Sequence, residues 1–174
     1  MNPHIPIETE VKLRIPSTGP LAPRLDQLGF RLDVPAQPER SVLWDRGTEL
    51  LAQGSALRLR NYAGRSWITW KGPKMEDPLF KVRPELETPI SDAGAMEGIL
   101  RALGYAPVLT MEKIRTVWNR ADLVACLDET PFGCFLELEG DPAAIRRTME
   151  DLSLGPELAE LRSYPTLFRE HGLA

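Results

Sequence analysis

The chain of 174 residues is predicted to fold as an α+β domain dominated by an antiparallel β-sheet or barrel. About eight short segments alternate apolar and polar residues with period two, as half-buried strands do. Turn sequences such as Asn61-Tyr62-Ala63-Gly64 separate these segments. The longer gaps carry leucines at helical spacing. Strands that outnumber helices and follow one another closely favour antiparallel pairing.

The predicted strands, in chain order, cover residues 5–15, 40–46, 55–62, 65–71, 79–87, 111–119, 122–128 and 133–139. Successive strand side chains point to opposite faces, so the first strand places Glu8, Glu10 and Lys12 together on one face. Pro84 has no backbone N–H to donate. We therefore expect the fifth strand to lie at a sheet edge or to contain a bulge.

Helices are predicted over residues 18–29, 92–103 and 142–153, with two short ones after Gly155 and Ser163. Ser91 is expected to cap the second of these helices. Asp141 is expected to cap the third, because an N-cap followed by proline is a typical helix start. We find no composition shift that would divide residues 1–174 into two domains.

Composition restricts the possible functions. A formal net charge of −4 argues against a protein built to bind nucleic acid, which needs a basic surface. No apolar run is long enough to cross a membrane. Cys126 and Cys134 are the only cysteines, so we expect free thiols in a reducing cytoplasm. His4 and His171 lie near the chain ends, which disfavours histidine-based catalysis.

Pairs of like charges two residues apart recur on five predicted strands: Glu8/Glu10, Arg58/Arg60, Glu85/Glu87, Lys113/Arg115 and Glu137/Glu139. Any single pair is typical of a solvated sheet face. The repetition favours another interpretation, because the face opposite each row is apolar and must be buried. The charged rows would then converge on one common face, and a closed sheet would make that face an interior.

A charged interior is costly unless a ligand and a metal neutralise it. Arginine forks match phosphate oxygens, and lysine supplies a point charge. Clustered carboxylates bind Mg²⁺ or Mn²⁺, which commonly bridge to substrate phosphates. The pattern therefore predicts a small molecule with several linked phosphates, bound together with one or two metal ions.

The run Glu8-Thr9-Glu10-Val11-Lys12 resembles the Glu-x-Glu-x-Lys motif of the CYTH family, the triphosphate tunnel metalloenzymes. Further matching motifs follow in order along almost the whole chain: Ala56-Leu57-Arg58-Leu59-Arg60, Thr69-Trp70-Lys71-Gly72, Arg83-Pro84-Glu85-Leu86-Glu87, Lys113-Ile114-Arg115, Cys126-Leu127-Asp128 and Phe135-Leu136-Glu137-Leu138-Glu139. The resemblance implies a closed antiparallel tunnel of about eight strands with helices on the outside.

The resemblance also implies roles for individual residues. Phosphate binders would be Lys12, Arg58, Arg60, Lys71, Arg83, Lys113 and Arg115. Metal ligands would be Glu8, Glu10, Glu137 and Glu139, with Asp128, Glu85 and Glu87 as further candidates, and the catalytic positions would be Glu8, Glu10 and Lys12. Lys81, Lys74 and Arg14 are expected to be solvated. A homodimer is compatible with the family.

Three functions remain open. Hydrolysis of tripolyphosphate or an organic triphosphate, such as thiamine triphosphate, is favoured. Cyclisation of ATP to cyclic AMP is the alternative, although Leu43-Trp44-Asp45-Arg46 departs from the aromatic-Asp-Thr run usual in the family. A non-catalytic polyphosphate or nucleotide binding module is the third. It is disfavoured because the acidic positions are retained.

Overall fold

The computed structural model describes residues 5–173, and its central element is a closed barrel of eight strands. Strands β1 to β8 span Ile7–Ile15, Arg31–Asp45, Ala56–Tyr62, Arg65–Lys71, Lys81–Ile90, Ala106–Arg120, Leu123–Thr130 and Gly133–Gly140. Around the barrel the order is β1-β5-β4-β3-β2-β6-β7-β8. All neighbouring strands are antiparallel. The predicted α+β class and the closed antiparallel tunnel are confirmed.

In the described part of the chain, five helices accompany the barrel: α1 (Ala22–Gln27), α2 (Glu49–Ala52), α3 (Ala93–Ala102), α4 (Pro142–Asp151) and α5 (Tyr164–Glu170). A 3₁₀ turn spans Pro156–Leu158. Asp141 caps α4 as predicted, and the helix predicted after Ser163 is α5, which Ser163 caps. The cap of α3 is Asp92 rather than Ser91, because the Asp92 side chain accepts a hydrogen bond from the backbone N–H of Ala95. The short helix α2 was not predicted, since four residues carry no helical periodicity.

The outer face of the barrel is apolar and is covered by helices. Val11 and Leu13 of β1 pack with Leu138 of β8 and Ile145 of α4 in the largest core cluster. A second cluster joins β2 and β3 to Leu100 of α3. Because side chains alternate along a strand, burying these residues on the outside directs the charged rows into the barrel.

Strands β2 and β6 are longer than predicted, and they pair along most of their length. Pro35 and Pro38 obscured the first half of β2 in the sequence. The structure accommodates this segment with register shifts between Leu32 and Val34 and between Val34 and Gln37, as β-bulges do. The extension brings Glu39 into the sheet.

Of the two alternatives expected for β5, an edge position or a bulge, the edge position is wrong because the barrel is closed. Residues 81–84 of β5 pair with β1, and residues 85–90 pair with β4. Pro84 therefore lies where the strand changes its pairing partner, and its carbonyl accepts a hydrogen bond from the Gly72 N–H at 2.8 Å. A missing donor is tolerated at such a position.

Three further predictions concern the chain as a whole. Within residues 5–173, no helix is both long and apolar enough to span a bilayer. Cys126 and Cys134 are both free thiols. His171 lies at the C-cap of α5, where its ring stacks on that of Phe132, and His4 lies outside the described residues.

Candidate active site: a charged tunnel

The inward faces of the strands line a cavity of about 330 Å³. Its basic side chains are Lys12, Arg58, Arg60, Lys71, Lys74, Lys81, Arg83, Lys113, Arg115 and Arg169. Its acidic side chains are Glu8, Glu10, Glu39, Asp45, Glu85, Glu87, Glu137 and Glu139. Every site residue predicted from the sequence lines this cavity except Asp128, which lies behind Lys113 and Arg115 and contacts both.

Carboxylates are concentrated on one wall, formed by the adjacent strands β1 and β8. Glu10 is directly paired with Glu139, and Lys12 with Glu137. In the closed strand order, β1 and β8 lie across the barrel from β2 and β3. The wall therefore faces Arg58 and Arg60, which lie on β3.

Glu8 links the acidic wall to β4 and β5. The ammonium nitrogen of Lys71 lies 2.8 Å from Glu8 Oε1 and 2.7 Å from Glu85 Oε2. Burial raises the pKa of Glu8 to about 7, helped by a hydrogen bond with the Glu85 carboxyl and by the charge of Glu10. Two carboxyl groups thus compete for one lysine, and Glu8 takes up a proton readily.

Glu139 is the least compensated acid of the wall. Glu10 is bonded to Lys81 and Glu137 to Arg115, whereas Glu139 forms no salt bridge with another residue in the 5–173 range. Burial raises the pKa of Glu139 to about 7, and the nearby charges of Glu8 and Glu10 add to this effect. Glu139 is therefore the acid of this wall that no basic side chain among the described residues neutralises directly.

This donor set fits a divalent cation that prefers oxygen ligands, such as Mg²⁺ or Mn²⁺. Glu8, Glu10, Glu137 and Glu139 supply carboxylate oxygens on two adjacent strands, and Glu139 has no ion-pair partner among the described residues. In the described part of the chain, no three acidic, histidine or cysteine side chains are arranged as a metal site. Most of the carboxylates are turned instead towards lysine and arginine.

On the β6–β7 side, Asp128 is the centre of a buried network. Its oxygens accept hydrogen bonds from Lys113 at 2.8 Å, from Arg115 at 2.6 Å, and from the hydroxyl of Tyr164. Burial alone would raise the pKa of Asp128, but Arg115 and Lys113 hold it well below its usual range. Asp128 therefore remains charged and fixes both basic side chains in the tunnel wall.

Lys12 is almost completely buried, with 1% of its surface exposed. Its ammonium group donates to the carbonyl of Arg162 at 2.7 Å and lies 4.0 Å from the ring centroid of Tyr164. Burial and the nearby charge of Lys81 lower the pKa of Lys12 to about 7. Both protonation states of Lys12 are therefore populated near neutral pH.

Arg58 and Arg60 share one acidic partner. The Glu87 carboxylate lies 3.4 Å from Arg58 and 2.8 Å from Arg60, and it also accepts a hydrogen bond from Thr69 at 2.6 Å. The Nε atoms of Arg58 and Arg60 are buried and have no hydrogen-bond partner among the described residues. Buried donors of this kind are costly, and an anion in the cavity would satisfy them.

The sequence predictions gave no site role to Glu39, Lys81 and Tyr164, which line the cavity, or to Thr69, which donates a hydrogen bond to Glu87. Lys81 was expected to be solvated, which was wrong: it is 5% exposed and bonded to Glu10 at 3.1 Å. Its period-two phase with Arg83 is the signal that could have identified it. Glu39 fell outside the predicted limits of β2, and the placement of Tyr164 depends on how α5 packs against the barrel.

The other two residues expected to be solvated are partly so. Lys74 is exposed, although it lines the rim of the cavity. Arg14 keeps 43% of its side chain exposed, and its guanidinium donates to the carbonyl of Phe132. Neither reaches the acidic wall.

A closed barrel with basic and acidic rows inside it defines the class of triphosphate-tunnel proteins. The model of the CYTH domain matches residues 6–154, and the chain belongs to the CYTH domain family. Members of this family are adenylyl cyclases or triphosphatases and generally depend on a divalent metal.

One curated relative agrees with this assignment, and two solved structures share the fold. A protein of Methanocaldococcus jannaschii named "Putative adenylate cyclase MJ0240" is 33% identical over 134 residues, which is 76% of each chain. A Vibrio parahaemolyticus structure described as "a putative adenylate cyclase" has a TM-score of 0.80 at 23% identity, covering 94% of this chain and 98% of that one. A Hippeastrum "Putative adenylyl cyclase", described as having a dominant triphosphatase activity, has a TM-score of 0.71 at 21% identity, covering 94% and 96%.

Replacing Asp128 with asparagine should destabilise the protein by about 3–5 kcal/mol, because two buried cations lose their shared counter-charge. The control Glu112→Gln should cost about 0–1 kcal/mol, since Glu112 and its partner Arg40 are 73% and 48% exposed. Urea denaturation at pH 7 measures the free energy of unfolding of both variants and of the wild type.

The same comparison has a defined pH dependence. The pKa of Asp128 is depressed in the folded state, so its stabilising effect is present above the ordinary value of 3.8 and fades as the pH falls below it. The difference in the free energy of unfolding between the wild type and Asp128→Asn should therefore become smaller as the pH falls below 3.8. If Asp128→Asn and Glu112→Gln lost equally little free energy of unfolding at pH 7, the stabilising role of the Asp128 network would be refuted.

Proposed function

We propose that this protein is a divalent-metal-dependent phosphotransfer enzyme that binds a triphosphate inside the barrel and hydrolyses it. One observation carries the proposal: two half-buried arginines, whose buried Nε donors have no partner among the described residues, face a wall of carboxylates across one cavity. A polyanion satisfies the arginines, and a cation satisfies the carboxylates. A metal-bound triphosphate supplies both at once.

The phosphate chain would be bound by Arg58, Arg60, Lys71, Arg83, Lys113 and Arg115, together with Lys12. Each arginine can donate hydrogen bonds to two phosphate oxygens at once, whereas the lysines act as point charges. Glu8, Glu10, Glu137 and Glu139 would hold the metal ion, with Asp128, Glu85 and Glu87 as further acidic groups near it. A bound divalent metal would neutralise phosphate oxygens and lower the pKa of a coordinated water.

Phosphotransfer requires mainly positioning and electrostatic stabilisation from the protein. Arg58 and Arg60, on the wall facing the carboxylates, would fix the phosphates and stabilise charge that develops on the leaving group. Lys12, with its pKa lowered to about 7, suits a proton-transfer role at its ammonium nitrogen near neutral pH. Burial of the site would keep other nucleophiles away from the triphosphate.

Two other functions remain as alternatives. Attack by a ribose hydroxyl in place of water would make the protein an adenylyl cyclase, and the name of the Methanocaldococcus relative points in that direction. The triphosphatase activity described for the Hippeastrum protein supports hydrolysis. A binding module without catalysis would have no use for the carboxylate of Glu139, which has no basic partner among the described residues. The free thiols are consistent with a reducing compartment such as the cytoplasm.

A substrate panel tests the reaction directly. Phosphate release and cyclic AMP formation should be measured with tripolyphosphate, ATP and thiamine triphosphate, each with Mg²⁺ and with Mn²⁺. We expect phosphate release without cyclic AMP, and loss of activity when a chelator removes the metal. Cyclic AMP as the main product would favour the cyclase, and no turnover of any compound would favour the binding module.

Glu10→Gln should abolish turnover while leaving triphosphate binding partly intact, because it removes a carboxylate charge from the proposed metal site but keeps the arginines. Glu97→Gln, on the exposed side of α3, is the matched control and should keep full activity. Thermal unfolding checks that the loss of the Lys81 partner has not unfolded the protein. Activity in folded Glu10→Gln equal to that of the wild type would refute the metal assignment.

Arg60→Ala should weaken triphosphate binding by about 10- to 100-fold, since a charge-assisted hydrogen bond contributes about 1.5–3 kcal/mol. Arg40→Ala is the control, because the Arg40 side chain is 48% exposed and paired only with the exposed Glu112. Calorimetric titration with tripolyphosphate measures the dissociation constants of both variants. An unchanged affinity in Arg60→Ala would show that Arg60 does not contact phosphate.

A further inference from the structure

One aromatic ring of the C-terminal helix α5 contacts two lysines of the tunnel wall. The ammonium nitrogen of Lys12 lies 4.0 Å from the ring centroid of Tyr164, and that of Lys113 lies 4.1 Å from it. Lys12 belongs to β1 and Lys113 to β6, and β7 and β8 lie between these two strands in the barrel. Tyr164 therefore joins two parts of the wall that do not pair with each other.

Three further contacts fix the position of the Tyr164 ring. Its hydroxyl donates a hydrogen bond to Asp128. The ring packs edge-on against Phe135, with centroids 5.6 Å apart and planes at 86°. Ser163, the residue before it, caps α5 by accepting a hydrogen bond from the backbone N–H of Thr166 at 3.3 Å. The ring is therefore in place before any ligand enters the tunnel.

Lys12 is bound in a different way from the other lysines of the acidic wall. Lys71 and Lys81 are paired with carboxylates. Lys12 forms no salt bridge with another described residue, and its ammonium group contacts the Tyr164 ring and the carbonyl of Arg162. An aromatic face attracts an ammonium group but carries no counter-charge. A lysine bound in this way keeps its attraction for an anion.

We propose that Tyr164 is a positioning residue, whose ring fixes the ammonium groups of Lys12 and Lys113 for contact with the phosphate chain. The inference rests on the proposed function, which assigns both lysines to phosphate binding. Tyr164 lies beyond residues 6–154, which the CYTH domain model matches, and its contacts alone assign it this role. Lysine carries its charge on a flexible stem, and ordering such a side chain on binding costs affinity. A ring that fixes the ammonium groups in advance removes part of this cost.

Variants at position 164 separate the ring from the hydroxyl. Dissociation constants for tripolyphosphate should be measured in the presence of a chelator. We expect Tyr164→Leu to weaken binding by about tenfold, because both ammonium groups lose the ring. Tyr164→Phe keeps the ring and should stay within about twofold of the wild type. Pentafluorophenylalanine in place of Tyr164 keeps the shape of a phenylalanine ring without its attraction for cations, so it should bind as weakly as Tyr164→Leu.

Lysine labelling measures the positions of the ammonium groups without any phosphate. Trace acetylation followed by mass spectrometry gives a rate for each lysine. In Tyr164→Leu we expect Lys12 and Lys113 to react about tenfold faster than in the wild type, whereas Tyr164→Phe should match the wild type. Lys71 is the internal reference, because it is paired with Glu8 and a general loosening of the barrel would raise its rate too.

Tyr105→Leu is the matched control, because Tyr105 is a half-buried tyrosine that packs with the cluster under α3. Its ring lies 5.9 Å from the guanidinium carbon of Arg46. This variant should change neither the dissociation constant of tripolyphosphate nor the labelling rates of Lys12 and Lys113.

Two results would overturn the positioning role: unchanged labelling of Lys12 and Lys113 in Tyr164→Leu, or a loss of affinity in Tyr164→Phe as large as in Tyr164→Leu. A wild type that binds no tripolyphosphate would refute the proposed function instead. Faster labelling confined to Lys12 and Lys113 in Tyr164→Leu would even then support the contact of the ring with both lysines.

Discussion

The interior of this protein depends on mutual neutralisation of buried acids and bases. Lys71 lies between Glu8 and Glu85, Lys81 is bonded to Glu10, and Arg115 bridges Asp128 and Glu137. Any of these groups alone would be costly inside a barrel, because a buried charge without a partner is strongly destabilising. The network is therefore a condition for folding as well as the framework of the site. Its incompletely paired members, including Glu139 and the Nε atoms of Arg58 and Arg60, are the positions where a ligand would complete the pairing.

Closure of the barrel follows from the same alternation that creates the charged rows. The apolar residues between the charges must be buried, and the helices bury them on the outside, as Ile145 of α4 and Leu100 of α3 show. An open sheet would leave two edges exposed and its charged face in water, where the pairs would contribute little. Closure removes the edges and places the charges in an environment of low polarity. Electrostatic interactions with a substrate are stronger there.

Much of this arrangement is encoded locally and was predicted from the sequence. Period-two alternation identified eight strand segments and the inward phase of rows such as Glu8/Glu10 and Arg58/Arg60. The closure of the sheet was an implication of the family resemblance, and the strand order confirms it. The failures have physical causes. Pro35 and Pro38 obscured a strand that bulges accommodate, which hid Glu39, and Tyr164 reaches Asp128 only through the packing of α5. Such contacts join residues distant in the chain, so no local pattern reports them.

Two opposite demands meet in the tunnel. A fully neutralised interior would be the most stable, but it would have no affinity for a charged ligand. Burial raises the pKa of Glu8 and of Glu139 to about 7, and Glu139 has no ion-pair partner among the described residues. Keeping such a carboxyl group inside the tunnel costs stability but leaves it available to a cation. Stability and recognition are thus opposed in the charged tunnel.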